Sequence, residues 1–180
     1  MDKRRAFEET AVPFLRVVYA AALRLTRDRE DARDCVQETM LRAFRTFESF
    51  TPGTNCKAWL LKILYSVFVN RYHKARRDPP TVELEERLHR ASATTGELPG
   101  SWERSEWSEQ VEEALGRLPE TFRAAVLLVD VEELTYEETA DALDCPVGTV
   151  RSRVSRGRRL LYAALADHAR QRGLLKVTPS

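Results

Sequence analysis

Apolar positions recur along most of this chain at helical spacing. Phe14, Val17, Val18, Ala21 and Leu25 form a stripe that begins after Pro13 and predicts a first helix. The pattern restarts near 26–28, with Asp28 as N-cap and Asp31 at the favourable third position beyond it. From there to Phe47, the residues Ala32, Cys35, Val36, Thr39, Ala43, Phe44 and Phe47 are predicted to be buried. The same helix carries a second stripe, Asp34, Gln37, Glu38, Leu41 and Arg45, at i, i+3, i+4, i+7 and i+11. A polar stripe is ordinarily a solvated face. Leu41 in the middle of this one is not ordinary, because an apolar centre inside a polar rim is how protein interfaces are built. Residues 49–55 read as a loop on their Pro-Gly and Ser/Thr content. A long helix over 57–77 follows, with Trp59, Leu60, Ile63, Leu64, Val67 and Phe68 as its apolar body and Trp59 assigned to the core. Asn70, Arg71, Lys74 and Arg77 line up towards its end.

Residues 78–102 lose the period. Pro79-Pro80 and the run SATTGELPGS have linker composition, so a domain boundary is placed there. Helical spacing resumes over 107–118 and again from Pro119, whose helix has Phe122, Ala125, Val126 and Val129 as its apolar positions. Thr135 with Glu138 three residues later is a capping box. The stretch YEETADALDCPVGTVRSRVSRGRRLL then reads as two helices joined by a sharp turn, the second rich in arginine. Val150, Val154 and Leu161 fall on one side of that second helix, and Arg151, Ser152, Ser155, Arg156 and Arg159 on the other. These are the parts of a helix-turn-helix, whose second helix lies in the DNA major groove. Arginine suits that place because its planar fork meets guanine O6/N7 or a phosphate with two hydrogen bonds. The turn position occupied by Asp144 requires a left-handed backbone, which aspartate tolerates better than most residues. The tail after 169 is expected to fray.

Charge sharpens the picture. The net +1 of the 180 residues hides a segregation: residues 1–77 carry 16 Lys and Arg against 9 Asp and Glu, and 145–180 carry 8 against 1. Residues 105–144, between them, carry 2 against 12. Two basic blocks separated by acidic ones imply two nucleic-acid-facing surfaces. The acidic residues Asp130, Glu132 and Glu133 are expected to lie away from the arginine-rich helix. Cys35, Cys56 and Cys145 are too scattered for a zinc site and too few for a disulfide framework, so they are expected to pack as small apolar residues in a cytoplasmic protein, with Cys35 and Cys145 buried. No run reaches the length of a membrane span. His73, His89 and His168 are scattered, and neither a nucleophile–base set nor a glycine-rich phosphate loop can be placed, which argues against an enzyme and against a bound cofactor or metal.

These segments resemble one family in order and spacing. DREDARDCVQETMLRAFRTF resembles the helix by which RNA polymerase sigma factors of the extracytoplasmic-function type hold core polymerase. NCKAWLLKILYSVFVNRYHKARR resembles their −10 region, and LPETFRAAVLLVDVEELTYEETADALDCPVGTVRSRVSRGRRLL their −35-binding domain. FTPGTNCKAWL with GTVRSRVSRGRRLL is similar, more narrowly, to a subgroup tied to thiol-oxidative stress. The resemblance implies an all-α fold of two small domains: sigma region 2 over 1–77, an acidic flexible linker over 78–104 and sigma region 4 over 105–180. It implies that Asp34, Gln37, Glu38, Leu41 and Arg45 dock on the β′ clamp helices of core RNA polymerase, and that region 4 meets the β flap. The loop 49–55 with Asn55, and Asn70, Arg71, Lys74 and Arg77, would capture the opened −10 element. Arg151, Ser152, Ser155 and Arg156 would read the −35 element, with Arg158 and Arg159 on phosphates. An anti-sigma factor, which in that subgroup often carries zinc, would hide the polymerase-binding faces. The rival reading is a stand-alone helix-turn-helix regulator that dimerises on duplex DNA.

Overall fold

The computed structural model describes residues 2–77 and 109–171, with side chains over 2–71 and 109–166. The linker segment 78–104 and the tail beyond 171 lie outside the described residues. The described residues are helical, with no strand among them. The chain divides into two compact units, Met1–Arg104 and Ser105–Ser180.

The first unit opens with a helix that the apolar pattern did not reveal. Helix α1 spans Lys3–Thr10 and is capped by Asp2, whose side chain accepts a hydrogen bond from the Arg4 backbone N–H. Arg4–Glu8 and Arg5–Glu9 pair at i, i+4 along its outer face, and Phe7 is its one buried residue. A single apolar anchor gives no stripe to read. Pro13 sits in the 3₁₀ turn Val12–Phe14, and α2 follows over Leu15–Thr26. Val18, Ala21 and Leu25 are buried as the stripe predicts, joined by Tyr19 and Ala22. Arg27, at φ 60°, turns the chain, and Asp28 caps α3 (Arg29–Arg45) by accepting from the Asp31 N–H at 2.8 Å.

On α3, Ala32, Cys35, Val36, Thr39 and Ala43 are buried against α2 and α4, and the Thr39 hydroxyl donates to the Cys35 carbonyl at 2.6 Å. Phe44 corrects the predicted core, being 37% exposed. Its ring instead meets Phe7 edge-on at 5.3 Å, under the Lys3 ammonium, because α1 covers only part of it. Phe47 is half-buried in the turn Phe47–Ser49, likewise edge-on to Phe7. Helix α4 runs over Cys56–Arg77, with Asn55 as its cap: the Asn55 side-chain oxygen accepts from the Ala58 N–H at 3.1 Å. Leu60, Leu61, Leu64, Val67 and Phe68 fill the core between α2 and α3. Trp59 is half-buried, not core, and leans on Phe50 with ring centroids 5.0 Å apart.

The second unit is built on one long helix. Helix α5 spans Glu109–Gly116 and α6 spans Glu120–Val126 after Pro119. The chain then widens into a π-helical turn, Leu127–Val131. Helix α7, Tyr136–Ala142, starts from the full reciprocal capping box of Thr135 and Glu138. Helix α8 runs over Val147–Gln171, and α5, α6 and α7 all pack on it. Gly157 is what lets α6 come so close. A Cβ there would stand 2.6 Å from Val126 Cγ2 and 3.3 Å from the Phe122 carbonyl. Asp144 has φ 47°, the left-handed conformation that the turn between α7 and α8 requires.

Candidate functional site

Each unit presents one face in which the sequence candidates gather. In the first unit, the outer side of α3 exposes Asp34, Gln37 and Arg45, half-exposes Glu38, and leaves Leu41 45% exposed. Burying an isolated leucine at that exposure would remove apolar area worth on the order of 1 kcal/mol. A groove of about 480 Å³ runs between α3 and α4, lined by Asp34, Gln37, Glu38, Leu41, Arg42, Val67, Asn70 and Arg71. It brings four of the candidate polymerase-docking residues beside two of the candidate −10 residues. Arg45 and Asn55 lie outside its lining.

Arg71 bridges the two helices. Its guanidinium donates to Asp34 Oδ2 at 2.9 Å and stands 3.5 Å from Asp31 Oδ1. Burial disfavours its charge, but the hydrogen bond with Asp34 and the carboxylates nearby more than offset this, so its pKa is raised. All three side chains are about half exposed, so the pairs order the groove more than they stabilise the fold. Arg42, which pairs with Glu38 at 2.6 Å, was missed as a lining residue although its i+4 spacing from Glu38 was legible. Asn55 serves the fold as the cap of α4. The backbone of α4 carries Lys74 and Arg77, whose side chains lie outside the described residues. Burial pushes the Cys35 thiol, on the inner side of α3, up to about 11, and it also raises Cys56 at the start of α4.

In the second unit, Arg151, Ser152, Ser155, Arg156 and Arg159 are all exposed along α8, while Val150 and Val154 are buried on its inner side. Arg156 and Arg159 have no hydrogen-bond or ion-pair partner among the described residues, so their forks are available. Arg151 lies over the Tyr136 ring, 5.7 Å from its centroid. Ser152 Oγ donates to the Thr149 carbonyl at 2.9 Å. Arg158 is differently placed from its neighbours. Asp130 accepts two hydrogen bonds from it, one from Nε at 3.0 Å, and that carboxylate holds the guanidinium pKa still higher than usual. This corrects the expectation that Asp130 lies away from the arginine-rich helix: the π turn swings it onto α8. Cys145 is half-buried, not buried, with an Arg153 N–H directed at its sulfur over 3.7 Å.

Among the described residues, no group of His, Cys, Asp and Glu is placed to hold a metal ion, and no helix is long and apolar enough to cross a membrane. Two units whose described residues are helical, one of them a helix-turn-helix with an outward arginine face, form an arrangement suited to a DNA-binding regulator. The particular family follows from comparison with known proteins. Residues 12–78 match the family model described as Sigma-70 region 2, and residues 108–161 match Sigma-70, region 4. The chain is 40% identical to the ECF RNA polymerase sigma factor EcfG of Rhodopseudomonas palustris, over 86% of this chain and 81% of that one. It is 38% identical to the ECF sigma factor SigE of Mycolicibacterium smegmatis, over 84% of this chain and 58% of that relative. Among solved structures it is similar to the sigma factor RpoE in complex with the anti-sigma factor NepR from Bartonella quintana. That match has a TM-score of 0.70 and 28% identity, and it covers 90% of this chain and 98% of that one. The chain belongs to the sigma-70 family, among the RNA polymerase sigma factors of the extracytoplasmic-function type. The narrower likeness to a thiol-oxidative-stress subgroup is not confirmed by these comparisons.

Proposed function

We propose that the protein is an alternative sigma factor that binds core RNA polymerase, recognises −35 and −10 promoter elements and promotes their opening for transcription initiation. The observation that carries this reading is the coincidence of three orders: region 2 then region 4 in the family matches, two separate compact units, and a candidate binding face on each. In the first unit, Asp34, Gln37, Glu38, Leu41 and Arg45 dock on the β′ clamp helices, with Leu41 as the apolar centre of a polar rim. Asn70, Arg71, Lys74 and Arg77, with Asn55 in the loop before α4, line the path of the opened −10 strand. Flipping a base out of the stack costs a few kcal/mol, which a positioned pocket and a cationic rail offset. In the second unit, Arg151, Ser152, Ser155 and Arg156 read the −35 element, Arg159 holds phosphate, and the unit meets the β flap. The segment 78–104 tethers the two. The site of action is the cytoplasm.

The likeness to a sigma factor seen with an anti-sigma factor supports control by such a partner, which would cover the groove between α3 and α4. In vitro transcription from a genomic fragment library, with core polymerase and with or without this protein, tests the whole reading. New discrete starts sharing two spaced upstream motifs are expected. No new starts, with unaided binding to duplex DNA instead, would replace it with a stand-alone regulator.

A further inference from the structure

Tyr136 has no role in the reading so far, yet it stands beside the arginines of α8. It is the first residue of α7, and its backbone is fixed by the capping box: Thr135 Oγ1 accepts from the Glu138 N–H at 3.1 Å, and Glu138 Oε2 accepts from the Thr135 N–H at 2.9 Å. Its half-buried ring lies under the Arg151 guanidinium, 5.7 Å from centroid to carbon. Arg151 and Arg158 are seven residues apart on α8, about 10 Å along one side of the helix. Arg158 is clasped by Asp130 from the π turn. Tyr136 therefore meets one of these arginines with its ring, while Asp130 holds the other.

We propose that Tyr136 is a positioning residue for promoter reading, its ring preorganising the exposed Arg151 side chain for the −35 element. The inference rests on the reading of α8 as the −35 helix. An exposed arginine loses rotamer freedom when it binds a base edge, and a surface that already restricts it lowers that cost. An aromatic face is well suited to the task. It attracts the cation while occupying none of its N–H donors, so the fork stays free for two hydrogen bonds to a guanine or a phosphate. A carboxylate in the same place would consume those donors, as Asp130 does at Arg158.

The test is a selection from a promoter library randomised across the −35 element, using holoenzyme assembled from core polymerase and the full chain. Arg151→Ala first marks the base step that Arg151 reads. Tyr136→Leu is then expected to weaken preference at that same step two- to fivefold, the effect of losing an exposed cation–π contact, and to leave preference at the other steps unchanged. Tyr136→Phe and Tyr136→Trp, which keep a ring, should retain the preference, and on an Arg151→Ala background Tyr136→Leu should add nothing at that step. A uniform loss across all sequences with an unaltered preference profile overturns the proposal, as does a ring-retaining variant that loses the preference as Tyr136→Leu does. Wild-type holoenzyme that selects no −35 motif at all sinks the sigma-factor reading itself, a different result from either.

Discussion

Leu41 is the residue on which the proposed polymerase-docking surface turns, because it is apolar, exposed and flanked by Gln37, Glu38 and Arg45. A charge placed there meets water in the free protein and a desolvated partner in the complex. Leu41→Glu is therefore expected to abolish binding to core polymerase in a pull-down while shifting stability by no more than about 0.5 kcal/mol in denaturant titration, the usual size of a surface substitution. Global unfolding of the variant would place Leu41 in the core after all. Cys35 lies only six residues away and behaves oppositely. Burial raises its thiol from the ordinary 9.0 to about 11, so the folded state holds the proton more tightly than the unfolded state does. The sign follows: this contribution is fully present below pH 9 and is lost as pH rises towards 11, once the unfolded thiol ionises first. Stability should fall across that window more steeply in the native protein than in Cys35→Ala, measured by denaturant midpoints at pH 8, 9, 10 and 11. An equal fall in both proteins would show that other groups govern the alkaline limb.

Two backbone positions decide how α8 is held, and they make opposite predictions. Asp144 occupies a left-handed turn that strains any residue with a Cβ, so Asp144→Gly should stabilise the second unit by up to about 1 kcal/mol. Gly157 lies where a Cβ would run into Val126 and the Phe122 carbonyl, so Gly157→Ala should destabilise it by about 1–3 kcal/mol despite alanine's better helix propensity. Circular dichroism during denaturation, resolved into a transition for each unit, reads both. A neutral Gly157→Ala would mean that α6 can move away freely. The two positions also mark the limit of what sequence reveals. The turn at Asp144, the caps at Asp28 and Thr135, and the exposed stripes on α3 and α8 were legible because each rests on local spacing. Helix α1 was not, since Phe7 alone is buried and its stability comes from the Asp2 cap and i, i+4 pairs. Phe44 and Asp130 were misjudged for a related reason. Helical period says which side of its own helix a residue occupies, but not whether another element covers that side or a π turn redirects it. Arg71 on Asp34 is likewise a meeting of two residues 37 positions apart on different helices, beyond any local pattern.

At the scale of the whole chain, the two units are separate folds whose proposed tasks depend on each other only through polymerase. On the proposed reading, the second unit by itself is not expected to hold a promoter tightly. On the same reading, core polymerase would supply affinity by holding the first unit, after which the second unit would meet the −35 element at a high effective concentration. This hierarchy predicts an asymmetry between variants. Arg156→Ala should lower promoter use about 5- to 150-fold, the equivalent of 1–3 kcal/mol at one base contact, in start-specific transcription assays with wild-type core polymerase. Leu41→Glu should remove start-site selection at every promoter, and the double variant should be no worse than Leu41→Glu alone, because the second contact has nothing left to act through. If Leu41→Glu instead left promoter choice intact and merely scaled its output, the second unit would be finding DNA by itself. The dependence of one unit on the other would then have to be abandoned, even with the fold and the helix-turn-helix unchanged.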